Sequence, residues 1–359
     1  ALSQRRQLLD PDIFKRINNL FVSAFDDDTA INGYHILAQD GSDVNIPFMD
    51  DKTKTEKHDA KSFCQYHVNA LYDCLNKVFY DWSIDAASKK REVNALISIL
   101  KDRNYPQNSI FTADRGYESY NLMAHFIEND IKFVIRVKDI HTKVGLMTNV
   151  RTEEGAFDMR INRTLTSLQT KEIKADKEKY IFVPSTSNFD FLDENRDFYD
   201  LSFRAVRFKI SEDTYETVVT NLSEEEFKTE DFKELYHYRW NEETAFNKLK
   251  YTIGLVYFHA RKRKLIQQEI NAAFLMYNVS EVIIRNIDLK KDKKLKLEYD
   301  YKPNFSSAVT NIRLYLRKKI NMKELILRIK KFLVPQRPER SFERNIKGQA
   351  CKPLNYRTS

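Results

Sequence analysis

Three acids in this chain stand where they could share divalent metal ions. They are Asp40 in Ala-Gln-Asp-Gly-Ser, Asp114 in Thr-Ala-Asp-Arg-Gly-Tyr, and Glu243 in a helical stretch that also carries Tyr236, Arg239 and Lys250. Phosphodiester cleavage by two metal ions draws acids from separate elements, because the ions sit roughly 3.5 to 4 Å apart and touch both attacking and leaving oxygens. An all-oxygen ligand set suits Mg2+. Taken singly, either Asp reads more simply as a turn or cap residue. Asp43, three residues after Asp40, competes with it for the first place.

Helical spacing gives the third acid its case. At about 100° per residue, Tyr236, Arg239, Glu243 and Lys250 fall within a sector of roughly 60°. Glu242 falls about 100° away from Glu243 on the same wheel, which makes Glu243 the expected inward ligand. The plain alternative is an exposed helix on which Arg239 and Glu243 form an i,i+4 ion pair contributing a few tenths of a kcal/mol. Trp240 and Tyr238 read as buried packing in preference to base stacking. The seven histidines, His237 and His259 among them, form no metal-spaced pair.

The elements that must position these acids follow from periodicity. Residues 1–25 read as helix, with Leu9, Phe14, Ile17 and Phe21 at helical spacings before the acidic run Asp26-Asp27-Asp28. A short strand at 34–39 is expected to end at Asp40, followed by a hairpin of 63–71 and 77–82 around Asn76 and a helix over 87–102. A strand at 110–113 stops at Asp114, a helix carrying Leu122, Met123, Phe126 and Ile127 follows, and a strand at 133–137 completes a β-β-β-α-β-α-β order. That is the order of a ribonuclease-H-like mixed sheet flanked by helices, in which the strands ending at Asp40 and Asp114 are neighbours. Residues 139–222 lose the helical pattern and show short β runs at 180–183, 206–210 and 215–220. Helices return at 224–251, 264–286 and 306–333, and Pro335 and Pro338 open a basic tail. No internal repeat is visible, and the lysine-rich 289–296 reads as an exposed connection.

Bulk composition narrows the class. With 359 residues, 42% of them hydrophobic, the chain can bury a large core. No stretch reaches the roughly 18 apolar residues of a membrane span; 272–284 is broken by Asn278, Ser280 and Glu281. The first residues lack the apolar run of a signal peptide and the initiator Met, so a cytoplasmic chain that has lost an upstream segment is expected. Cys64, Cys74 and Cys351 have neither zinc-ligand spacing nor disulfide density, and read as reduced thiols. The net charge of +8 is unevenly spread: residues 250–359 hold 26 Lys and Arg against 9 Asp and Glu. A basic C-terminal third attracts polyanions, although a solvated helical surface gives the same count.

The spacing Y-x2-R-x3-E-x6-K, together with the contexts of both Asp residues, resembles bacterial insertion-sequence transposases of the DDE type, in the group founded by insertion sequence four. The resemblance covers about residues 30–280. It implies that Asp40, Asp114 and Glu243 are the catalytic, metal-binding acids, with Mg2+ as the ion and Mn2+ able to substitute. It implies that Tyr236, Arg239 and Lys250 contact DNA phosphates, and that 139–222 is a β-rich insertion before the last catalytic helix. The expected domains are a helical remnant at 1–30, core segments at 31–138 and 223–288 around that insertion, and a basic helical region at 289–359. The implied function is cut-and-paste transposition through a hairpin intermediate on double-stranded DNA, by a homodimer in a synaptic complex, with no membrane partner. Two rivals are kept: a structure-selective nuclease on the same fold, and a non-catalytic DNA-binding descendant. Arg261, Arg263, Arg317, Arg337, Arg340 and Arg344 read as DNA-facing or solvated. Members of that group usually carry an N-terminal DNA-binding helical region; this sequence starts close to the core, so part of the end-recognition region is expected to be missing from it.

Overall fold

The structure is a computed structural model describing residues 2–336, apart from 25–29, 48, 50–52, 56–61, 88–91, 141, 143, 153, 212–213 and 290–299. Asp26–Asp28, Arg337, Arg340, Arg344, Cys351, Pro338 and nearly all of the lysine-rich 289–296 therefore lie outside the described residues. Two helices, α1 (Leu2–Leu8) and α2 (Ile13–Ser23), precede β1 (His35–Ile46), a short β2 (Lys54–Thr55), β3 (Phe63–Asp73) and β4 (Val78–Ala86). Then come α3 (Glu92–Asp102), β5 (Ser109–Ala113), α4 (Tyr120–Glu128) and β6 (Lys132–Arg136). The expected β-rich segment is β7 (Phe157–Thr166), α5 (Lys171–Ala175), β8 (Tyr180–Phe182), β9 (Phe198–Ser211) and β10 (Thr214–Thr220). The chain continues with α6 (Asp231–His237), α7 (Trp240–Asn247), a π-helical turn (Lys248–Ile253) and α8 (Arg263–Arg285). A small ribbon of β11 (Asp300–Pro303) and β12 (Leu333–Gln336) brackets α9 (Phe305–Leu316) and α10 (Met322–Lys331).

One ten-stranded sheet runs in the order β2-β3-β1-β5-β6-β10-β9-β7-β8, with β4 paired to β3. β1, β3 and β4 form an antiparallel meander, and β5 and β6 add to β1 in parallel. This is the ribonuclease-H-like arrangement of a mixed sheet flanked by helices. The β-rich segment extends the same sheet, because β10 pairs antiparallel with β6. Sequence periodicity missed β7 and the β11–β12 ribbon, and read β9 as five residues in place of fourteen.

Both faces of the sheet are covered, as the alternation along each strand requires. Ile36 and Ala38 of β1, Ile110 of β5 and Val134 of β6 join the core under α6, α7 and α8. Leu37, Phe111, Phe133 and Ile135 join the core under α3 and α4. On the first face Trp82 stacks on Phe274 of α8, with ring centres 4.3 Å apart. The Trp82 indole N–H donates to Asn271 at 2.7 Å. Asn278 accepts from the Phe79 N–H at 2.8 Å and donates to Asn18 of α2 at 2.7 Å. These amides are fully buried, so each must be paired or cost about 1 to 3 kcal/mol. They fasten α2 and β4 to α8. Cys64 and Cys74 are buried free thiols, and among the described residues no helix is long and apolar enough to cross a membrane.

Candidate metal centre

The strand β1 does not end at Asp40; it runs six residues further, paired with β3. What ends there is its other partner. The parallel ladder between β1 and β5 closes at Gln39 opposite Ala113, so Asp40 and Asp114 each follow the last rung directly. Both share the alternation of Ile36 and Ile110, which places their side chains on the α7 face. Each is steadied locally: the Gly41 N–H donates to Asp40 Oδ1 at 2.8 Å, and the Gly116 N–H donates to Asp114 Oδ1 at 2.7 Å. Burial pushes the Asp40 carboxyl up to about 6, against the Gly41 N–H bond and Arg239, and with Asp114 and Glu92 adding to the rise. Asp43 points to the opposite face and is bound to His67 Nδ1 at 2.6 Å.

On α7 the inward acid is Glu242, not Glu243. Glu242 is fully buried, and among the described residues neither of its carboxylate oxygens has a close hydrogen-bond partner. Burial first, then Asp40, pushes its carboxyl well up; Arg239 and the Asp40 backbone oppose this, and Asp114 adds to it. Glu243 is partly exposed, with Oε1 3.5 Å from Arg239 Nη2. The wheel expectation assumed one uninterrupted helix from Tyr236 to Lys250. Instead α6 ends at His237, two turn residues intervene, and the far end winds as a π-helix. The face set by packing is Glu242, Ala245, Phe246 and Leu249, all buried, at the i, i+3, i+4, i+7 positions of a core stripe. That stripe was present in the sequence and would have placed Glu242 inward.

Arg239 is buried beside these acids; burial opposes its charge, while Tyr236, Glu242 and Asp40 favour it. Its guanidinium lies over the Tyr236 and Trp240 rings at 5.4 and 5.5 Å. Lys250 lies in reach of Asp43 and Asp40, which offset the fall in its pKa caused by burial. Tyr236 is buried, with its hydroxyl beside the Arg239 guanidinium. It lines a cavity of about 470 Å3 with Phe208, Ile210, Lys233, His237 and Trp240. Trp240 is 42% exposed, so it does not pack as the sequence suggested. Tyr238 donates its hydroxyl to Glu234 at 2.7 Å. His259 lies 4.0 Å from Glu269. Arg261, Arg263 and Arg317 are exposed.

A divalent cation fits this donor set. Asp40, Asp114, Glu242 and Glu243 supply only carboxylate oxygens, the ligands of a hard ion. The unpartnered oxygens of buried Glu242, beside two further acids, are the groups a cation would satisfy. As they stand, no three His, Cys, Asp or Glu among the described residues are grouped closely enough to hold an ion.

The family profile described as "Transposase DDE domain" matches residues 31–279. No curated protein is recognisably similar in sequence. Among solved structures, one similar in shape is the cryo-EM structure of a piggyBac transposase synaptic complex with hairpin DNA, at 11% identity and a TM-score of 0.41. The similarity covers 86% of this chain and 59% of that one.

Proposed function

Because the chain belongs to the transposase DDE domain family, we propose that it cleaves DNA at transposon ends and joins those ends to target DNA. The observation that carries this reading is the placement of Asp40 and Asp114 directly past one rung of the parallel ladder, under the helix that supplies Glu242, Glu243 and Arg239. Asp40, Asp114 and Glu243 are the proposed metal-holding acids, with Mg2+ as the ion and Mn2+ as a substitute. Bound ions would activate the attacking oxygen and stabilise charge on the phosphate. Arg239 and Lys250 hold the strand by its phosphates, and Tyr236 offers a hydroxyl and a ring face beside them. Partial exposure suits Glu243 to this work, since the ion must meet water and DNA, and its pair with Arg239 is weak enough to exchange.

A second reading of the third acid has its own observation. Glu242 is the carboxylate buried against Asp40 with both oxygens unpartnered, so it could take the place assigned to Glu243. The rest of the proposal is unchanged: a cut-and-paste reaction through a hairpin intermediate, two copies of the chain paired on two DNA ends, and a cytoplasmic protein associated with the nucleoid while bound.

The test is Asp114→Ala, assayed with Mn2+ and Mg2+ on DNA carrying the element's ends. Cleavage should be abolished while binding in a gel-shift assay persists. Metal-dependent cleavage retained in that variant removes Asp114 from the centre. Wild-type cleavage without joining of precleaved ends marks a nuclease. Salt-sensitive binding without any turnover marks a non-catalytic descendant.

A further inference from the structure

A second group of side chains meets the same place from the opposite face of the sheet. His67 of β3 is fully buried. Its Nδ1 lies 2.6 Å from Asp43 Oδ1, and its Nε2 lies 3.2 Å from Glu92 Oε1 and 3.1 Å from Asn69 Oδ1. Asp43 thus orients the ring, and the ring points its other nitrogen at Glu92. The ordinary reading of Glu92 is an acid in the first turn of α3, complementing the helix dipole. Its position says more.

The two glycines beside the catalytic acids leave room for this carboxylate. A Cβ at Gly41 would stand 3.0 Å from Glu92 Oε1, and a Cβ at Gly116 would stand 3.6 Å from Glu92 Oε2. The same point at Gly116 is 2.9 Å from Asp114 Oδ1. One carboxylate therefore spans the β1 backbone beside Asp40 and the turn that follows Asp114, at the gap opened where β5 stops and β1 runs on. Like charges crowd together at little cost when a cation sits among them. The unpartnered oxygens of buried Glu242 point to such a cation independently.

We propose that Glu92 is a further carboxylate of the metal centre, reaching it from the α3 face, and that His67, oriented by Asp43, is the positioning residue that holds it. This rests on the proposed function in requiring that the centre bind metal at all. A metal-ligating acid held by a hydrogen-bonded neighbour typically loses about ten- to a hundredfold in metal affinity when that neighbour is removed.

The experiment is calorimetric titration of Mn2+ into the full chain without DNA, with the melting temperature of each metal-free variant measured alongside. Glu92→Gln should weaken Mn2+ binding at least about tenfold while melting near the wild-type temperature. Glu92→Asp keeps the charge but withdraws it by one methylene, so it should also weaken binding. His67→Gln should weaken it less, because the carboxylate is still present but no longer held. Asp114→Asn is the reference. If Asp114→Asn loses binding while both Glu92 variants titrate like wild type, Glu92 is not part of the centre and the inference falls alone. If the wild-type chain binds no Mn2+, the proposed metal centre falls and takes the inference with it.

Discussion

Asp40 and Asp114 stand side by side because each is the first residue beyond the Gln39–Ala113 rung, on strands that run in the same direction. A parallel pair keeps both side chains on one face at the same level. β5 then ends in a 3-10 turn, Arg115–Tyr117, capped by Asp114 itself, while β1 continues against β3. The acids are set by backbone ladders and by N–H bonds from Gly41 and Gly116. Little side-chain rearrangement is needed to keep them neighbours.

The burial of Asp40 has a pH signature in the metal-free protein. The Asp40 carboxyl is pushed up to about 6 from an ordinary 3.8, chiefly by burial. The folded state therefore holds this proton more tightly than the unfolded chain does. The group's contribution to stability is most favourable below about 4, falls as pH rises toward about 6, and is constant above. Without metal, Asp40→Asn should be more stable than wild type above pH 6, by on the order of 1 to 3 kcal/mol, with the difference shrinking toward pH 4. Added Mn2+ should reverse the order, and wild-type affinity for Mn2+ should decline below about pH 6 as protons compete. Denaturant unfolding at pH 4, 5, 6 and 7.5 reads the effect. A stability difference that does not change with pH would remove the raised carboxyl from the account.

The adjacent glutamates separate by substitution. Glu243→Gln should reduce cleavage about a hundredfold or more, as expected when a group acting on the transition state is lost. It should leave stability within about 0.5 kcal/mol, since its pair with Arg239 is partly exposed. Glu242→Gln replaces a buried acid with a neutral isostere; it should leave the metal-free protein as stable or more stable and reduce activity less than Glu243→Gln does. The opposite pattern of activities transfers the third ligand to Glu242.

How far the site was legible depended on which physical signal each residue carried. Asp40 and Asp114 could be paired in advance because strand order and turn residues are local signals, even though β1 runs on past Asp40. The helix carrying Arg239 and Glu243 was visible, but its phase was not. A wheel anchored on charged residues assumes an unbroken helix, whereas the buried stripe Ala245, Phe246 and Leu249 fixes the true inward side. Trp240 looked like core and proved to line a cavity, because the buried stripe of Glu242, Ala245, Phe246 and Leu249 leaves it on the outer side of α7. His67 and Glu92 gave no sequence signal at all. They come from a strand and a helix 25 residues apart, and only tertiary packing joins them. The β-rich segment was recognised as strands, yet its continuity with the main sheet depends on β10 pairing with β6, a long-range contact that periodicity does not encode.

Gly41 tests whether the packing behind Asp40 matters. An added methyl group there would fall inside contact distance of His67 Nε2 and Cε1 and at 3.0 Å from Glu92 Oε1. His67 is fully buried and held from both sides, so it cannot swing into solvent to make room. Gly41→Ala should therefore cost about 1 to 3 kcal/mol of stability, the usual result of forcing a methyl into a filled core. It should also weaken Mn2+ binding, since the methyl displaces the ring that steadies Glu92. Gly155→Ala is the control, because a Cβ there meets none of the described residues within 4 Å; it should be neutral, or stabilising by up to about 1 kcal/mol through the unfolded chain. Equal stability of the two alanine variants in denaturant unfolding would mean that His67 yields easily, and that the space beside Asp40 is not tightly filled.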